Sequence, residues 1–157
     1  MMEVALRPID DSDLDALFEM MRDPESVRMA AFTAKDPDDR AAFDAHMAKI
    51  RALPDADNRA ITVDGRLVGS IASFVLEGDT EVTYWISRSY WGQGIAGRAL
   101  ALLLAMVPVR PVFAGAASDN AGSIKVLQRA GFVIIGTDTG FANGRNAVIE
   151  ETRLRLD

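Results

Sequence analysis

The sequence predicts an α/β fold: a mixed, mostly antiparallel central sheet with flanking helices. Three observations predict it. The stretch "RAITVDGRLVGSIASFVLEGDTEVTYWIS", residues 59–87, reads as three strands whose connections are too short for crossovers, so they pair as antiparallel neighbours. From Thr83 to Phe113 the pattern runs strand, helix, strand, which implies one right-handed parallel crossover. Between that strand and helix lies a glycine-rich turn, Gly92-x-Gly94-x-x-Gly97, the kind of junction at which a backbone receives a ligand closely.

The elements follow in order. "VALRPI" is a first strand. "DDSDLDALFEMM" opens a helix with Asp and Ser available as caps, and Leu14, Leu17, Phe18 and Met21 fall on one face. "RDPESVRMAAFTAKDP", punctuated by Pro24 and Pro37, is expected to be a loop. A second helix places Phe43, Met47 and Ile50 together. In the meander, Asp64-Gly65 marks one hairpin turn and Gly78-Asp79 another. A helix from Ile95 to about Met106 is expected to bury Ala99, Leu102, Leu103 and Met106. "PVFAGAAS" is a short apolar strand. "NAGSIKVLQRAGF" is a helix capped near Asp119 or Asn120 and closed by Gly131. "FVIIGT" and "AVIEETRLRL" finish the chain as strands. No repeat, low-complexity tract or linker interrupts the 157 residues, so residues 1–157 read as a single domain.

Composition narrows the function. Hydrophobic residues make up 49% and charged residues 25%, enough apolar side chains for an ordinary core. With no cysteine, disulfides, thiolate nucleophiles and Cys-based zinc sites are excluded, and a reducing cytoplasmic setting fits. The single histidine, His46, cannot build a metal site alone, so no metal is expected. The run Ala99–Val109 is too short to span a bilayer and is broken by Pro108. "MMEVALRPIDD" lacks the basic and apolar regions of a signal peptide; no membrane partner is expected. Net charge is −6, and all of it lies in residues 1–60, which carry 14 acidic and eight basic side chains. No basic stripe with interleaved aromatics appears, so nucleic acid is not an expected partner.

The glycine turn looks at first like a dinucleotide fingerprint. That fold needs the turn directly on the end of a strand, followed by successive parallel crossovers. Here Arg88, Ser89, Tyr90 and Trp91 intervene, and an antiparallel meander comes first. A P-loop is excluded because no Gly-Lys-Ser/Thr follows. The local physics remains. Free N–H groups at a helix start, with the helix dipole behind them, favour a pyrophosphate.

"VTYWISRSYWGQGIAGRAL" together with "LRPIDDSDLDALFEMMRDPESVR" and "NAGSIKVLQRAGFVIIG" resembles the GNAT family of N-acetyltransferases, in particular its RimJ/RimL-type ribosomal-protein alanine N-acetyltransferase branch. The resemblance covers essentially the whole chain. The family pattern Gln/Arg-x-x-Gly-x-Gly/Ala reads Trp91-Gly92-Gln93-Gly94-Ile95-Ala96 here, with Trp91 in place of Gln/Arg. The resemblance implies a GNAT-like acyl-CoA N-acyltransferase fold. It implies acetyl-CoA as co-substrate, its pyrophosphate on the backbone of Gly92 to Gly97 and its pantetheine beside a splayed strand at Tyr84, Trp85, Ile86 and Ser87. Asn120 and Ser123 fall where the branch places residues near the pantetheine and thiol, and Ser123 is the candidate general acid. The tyrosine that many relatives carry one turn later is Leu127 here. For the base, Glu81 acting through water and a base of water and backbone carbonyls both stay open. Lys125, Arg129 and Arg98 are candidates for the CoA phosphates.

The implied reaction is direct attack of a primary amine on the thioester in a ternary complex. The acceptor is a small-molecule amine or a protein N-terminus, expected to be cationic because acidity gathers in the segment that forms much of the acceptor side. A homodimer is compatible with this reading. A catalytically silent CoA-binding or sensing domain, and a transferase using another acyl-CoA, stay open as alternatives.

Overall fold

The computed structural model describes residues 2–157. Its strands are β1 (Val4–Pro8), β2 (Asp57–Val63), β3 (Arg66–Leu76), β4 (Asp79–Ile86), β5 (Val112–Ala117), β6 (Val133–Ala142) and β7 (Ala147–Leu156). They form one seven-stranded sheet in the order β1-β2-β3-β4-β5-β7-β6. Every neighbouring pair is antiparallel except β4 and β5. The predicted mixed, mostly antiparallel sheet is therefore the observed one. The parallel pair is bridged by a helix, as strands running the same way require.

The helices are α1 (Leu14–Met21), α2 (Pro24–Ala30), α3 (Arg40–Ala52), α4 (Ile95–Met106) and α5 (Ala121–Arg129). The main core lies between the sheet and α4 and α5, with Ile61, Val68 and Ile71 of the meander meeting Leu100 and Leu103. A smaller cluster on the opposite face packs Leu17 of α1 and Met47 of α3 on Ala60.

Four local expectations are corrected. The segment expected as a loop contains α2. Asp23 accepts from Ser26 N–H at 3.0 Å, and Pro24 stands in the first turn, where its missing N–H costs nothing; the prolines mark a helix start, not irregular chain. On α4 the buried face is Ile95, Ala99, Leu100 and Leu103. Leu102 and Met106 are 39% and 42% exposed. Ala99 and Leu103 are buried as expected, but an almost wholly apolar helix offers no polar face to fix its rotation, so periodicity alone places the edge of the stripe wrongly. The second hairpin turns at Glu77-Gly78, and Asp79 already belongs to β4. Finally, β6 runs to Ala142 because β7 offers a partner along its whole length, although Asp138 and Gly140 are poor strand formers.

One departure from regular pairing positions the site. β4 and β5 are in register only at Thr80–Val112 and Glu81–Phe113. Beyond Glu81 the two strands part, and β4 loses its neighbour on that side.

Candidate active site

The parting of β4 from β5 opens a cleft of about 480 Å³ between β4 and α5. Its lining brings together Tyr84, Trp85 and Ile86 of β4, the turn at Trp91, Gly92, Gly94, Ile95 and Ala96, and Asn120 and Ser123 of α5. These belong to three separate stretches of sequence. A larger hollow of about 590 Å³ lies between α1 and α2, lined by Glu19, Asp23 and Asp38 with Arg22. It holds no strand edge, hydroxyl or glycine turn, whereas the cleft beside β4 has all three.

The open edge of β4 is polar backbone. Ser87 N–H donates to Val68 O of β3 at 2.7 Å, whereas Ile86 O accepts from Trp91 Nε1 at 2.9 Å. Antiparallel bonding alternates along a strand. Trp85 and Ser87 thus turn their main-chain groups to β3, and Tyr84 and Ile86 turn theirs into the cleft. Ser87 is corrected accordingly: its N–H is spent in the sheet and it does not line the cleft. Gln93 and Gly97 of the turn also stand outside the lining.

At the glycine turn, Gly94 sits at φ 77° as the residue capping α4. Left-handed backbone of this kind disfavours side chains. A Cβ at Gly94 would meet no protein atom within 4 Å, so tight packing is not what calls for glycine there. The first bond of α4 runs from Arg98 N–H to Gly94 O at 3.3 Å. The N–H groups of Ile95, Ala96 and Gly97 precede that ladder and are available to an anion. Lys125 and Arg129 add positive charge to the lining. Arg98 does not; its guanidinium donates to Met2 O at 3.2 Å. The open backbone, helix start and two cations fit a pyrophosphate.

On α5, Asn120 caps the helix by accepting from Ser123 N–H at 3.3 Å, and its amide donates to Met29 O of α2 at 3.3 Å. Its side chain is therefore a tether between helices as well as part of the lining. Ser123 Oγ stands 2.6 Å from Tyr84 Oη. Burial pushes the Tyr84 phenol above its ordinary value, opposed by the hydrogen bond with Ser123. The hydroxyl of Tyr84 is a site group that sequence reasoning missed. It treated Tyr84 as backbone, and no spacing rule links a strand residue to a helix residue 39 positions away. Met29 and Ser26 of α2 also enter the lining; Met29 was expected on the acceptor side, and Ser26 was not foreseen while that segment was read as a loop.

Glu81 lies elsewhere. Strand residues alternate in facing, so Glu81 points to the opposite side of the sheet from Val82 and Tyr84. It is buried at the point where β4 and β5 part. Both its oxygens accept from Arg153 Nη2 of β7, at 2.9 and 2.7 Å. The arginine reaches it across β5 above Gly115, where a Cβ would lie 2.7 Å from Arg153 Nη1 and 2.8 Å from Glu151 Oε2. Burial raises the Glu151 carboxyl, with Asp138 and Glu81 adding to the rise and Arg153 opposing it. Asp119 pairs with Arg145 at 2.8 and 2.9 Å, which holds its carboxyl below the usual range. Asp119 is thus a strut to the β6–β7 hairpin and not the helix cap. His46 is exposed on α3. Among the described residues no group of acidic and histidine side chains could hold a metal, and no helix is long and apolar enough to cross a membrane.

A sheet that parts beside a glycine-started helix defines a class: the acyl-CoA N-acyltransferase fold. The chain belongs to the GNAT acetyltransferase family, whose domain model, "Acetyltransferase (GNAT) domain", matches residues 3–133. The chain is similar in fold to RimJ of Mycobacterium smegmatis, solved in complex with CoA-disulfide, at 22% identity and TM-score 0.83, covering 98% of this chain and 81% of that one. It is also similar to spermidine N-acetyltransferase of Vibrio cholerae, in complex with CoA and spermine, at 17% identity and TM-score 0.80, covering 98% and 94%. A phosphinothricin acetyltransferase of Sinorhizobium meliloti, in complex with AcCoA, matches at 18% identity and TM-score 0.82, covering 98% and 87%. No curated protein sequence matches the chain.

Proposed function

We propose that residues 1–157 act as one N-acetyltransferase domain that moves an acetyl group from acetyl-CoA to a cationic primary amine by direct attack in a ternary complex. The observation that carries this reading is the single cleft uniting the open edge of β4, the start of α4 and the Ser123 hydroxyl. The backbone from Gly92 to Ala96, with Lys125 and Arg129, would hold the pyrophosphate. The outward N–H and C=O of Tyr84 would pair with the pantetheine amides as an added strand does. Ser123 would serve the departing sulfur as general acid. Glu81 retains unused lone pairs beside Arg153, since a carboxylate accepts about four hydrogen bonds, and through water it would take the proton of the amine.

Similarity in fold to a spermidine acetyltransferase and to RimJ supports an amine acceptor, either a polyamine-like molecule or a basic peptide N-terminus. The acidic excess of residues 1–60 supports a cationic one. The test is an amine panel of polyamines, amino acids, aminoglycosides and peptides, read by release of CoA thiol. The chain has no cysteine and adds no thiol background. Turnover with a cationic amine is expected. Acetyl-CoA binding without turnover on any amine would make the chain a silent CoA-binding domain, and no acetyl-CoA binding would end the reading.

A further inference from the structure

A lone serine is a weak acid for a thiolate. Giving up its proton leaves an alkoxide, a stronger base than the sulfur it serves, unless a second proton follows. The structure places a second hydroxyl at that point. Tyr84 Oη is 2.6 Å from Ser123 Oγ, a strong O–H···O distance, and both side chains line the cleft. The partnership joins two rigid elements. Tyr84 projects from β4 beside Val82 and Ile86 of the main core, and Ser123 lies in the first turn of α5, where Asn120 caps its N–H. The residue one turn after Ser123, Leu127, is sealed in the core, so α5 itself supplies no further hydroxyl on that face.

We propose that Tyr84 is a positioning and proton-supplying residue that acts through Ser123, so that a strand-borne phenol and a helix-borne hydroxyl form one relay to the CoA sulfur. The inference rests on the acyl-CoA reading above. As the amine nitrogen bonds to the acyl carbon and the carbon–sulfur bond breaks, the electron pair goes to sulfur. The Ser123 proton goes to that sulfur and the Tyr84 proton to Ser123 Oγ. The proton lost by the attacking nitrogen passes through water to Glu81 and on to solvent, and solvent returns one to Tyr84, so no net proton is consumed. Burial raises the phenol and keeps Tyr84 protonated at the start of each cycle. The cationic groups lining the cleft, Lys125 and Arg129, belong to α5 and are unaltered in the variants below.

The relay can be read without knowing the acceptor. Free CoA is the probe, and its bound thiol is titrated by thiolate ultraviolet absorbance, with calorimetry for binding. The chain's lack of cysteine leaves CoA as the only thiol. Donation from Ser123 favours the thiolate, so the bound thiol of wild type is expected to titrate below free CoA. Tyr84→Phe and Ser123→Ala are each expected to raise that titration by about one pH unit, with affinity for the protonated CoA thiol, read below the titration, kept. The double variant is expected to go no higher than Ser123→Ala alone. A rise in Ser123→Ala with none in Tyr84→Phe would reduce Tyr84 to packing. Additive rises would mean two independent hydrogen bonds and no relay, and no rise in either would remove both hydroxyls from the sulfur. Failure of wild type to bind CoA would instead overturn the acyl-CoA reading itself.

Discussion

Gly94 illustrates how a residue's role is decided by what surrounds it. Its φ of 77° favours glycine, and the space beside it is open, so a side chain there would meet no protein atom and would enter the proposed pyrophosphate site. Gly94→Asp adds bulk and negative charge at the proposed anion site. It is expected to remove most acetyl-CoA affinity while the fold is kept, because Asp tolerates left-handed backbone better than most residues; calorimetry beside a melting curve checks both. Ser123→Ala is expected to slow turnover at the low end of general acid effects, about 10²-fold, with acetyl-CoA affinity little changed. An unchanged kcat under rate-limiting chemistry would leave Ser123 a packing residue. A third residue sets an acid limit on stability. Asp13 is buried before α1, accepts from Arg7 at 2.7 and 2.8 Å and from Asp10 N–H at 2.8 Å. The Arg7 hydrogen bond, helped by the Asp10 N–H, holds its carboxyl below the usual range against the cost of burial. A lowered folded value gives stability that is complete above the unfolded value, near about pH 4, and is lost as pH falls through the folded one. Asp13→Asn is therefore expected to melt earlier than wild type at pH 7, and the two melting curves to converge in strong acid.

Among the elements, β5 decides most. It pairs with β4 for two residues only and with β7 along its whole length, so the sheet is continuous yet open where the cleft forms. Gly115 in β5 lets the Arg153 side chain cross to Glu81. Gly115→Val would drive its side chain into Arg153 and Glu151. It is expected to cost about 1–3 kcal/mol, the range for overpacking a close contact, with a lower denaturation midpoint and weakened turnover as the Arg153–Glu81 pair shifts. An unaltered midpoint would show that Arg153 swings aside freely. The element that sequence reading lost, α2, is held by the β6–β7 hairpin: Gly144 N–H donates to Ala31 O at 2.8 Å and Asn143 Nδ2 to Thr33 O at 2.8 Å. These are contacts across more than a hundred residues, beyond the reach of local propensity. Within α2 itself the signal was present, since Asp23-Pro24 followed by Ser26 is a cap with proline in the first turn.

At the scale of the whole molecule, charge is divided unevenly. All six arginines of residues 1–60 are in ion pairs with carboxylates, yet the acidic excess of that segment remains after pairing. An excess of one sign near a binding face draws cations and raises their encounter rate. For the best cationic acceptor, kcat/KM is expected to fall as ionic strength rises from about 0.01 to 0.15 M, where screening shortens from roughly 30 to 8 Å. A salt series on that acceptor checks it. A neutral best substrate, or indifference to salt, would make the acidic segment a solvated surface only.

The sequence by itself determined the antiparallel meander, the single crossover and the glycine-started helix, because each is written in local signals: two-residue turns, connection length and a run of small residues before an apolar helix. It also singled out Gly94, Asn120 and Ser123, which the fold brings into one cleft. Only the tertiary structure decided which face of α4 is buried, that Ser87 spends its N–H on β3, that Glu81 is held by Arg153, and that Tyr84 meets Ser123. Each of these depends on where a second, distant segment comes to rest. Rotation of an apolar helix, the outward or inward turn of a strand's main-chain groups and the partner of a buried side chain are set by packing between elements. Packing of that kind leaves no periodicity in the chain.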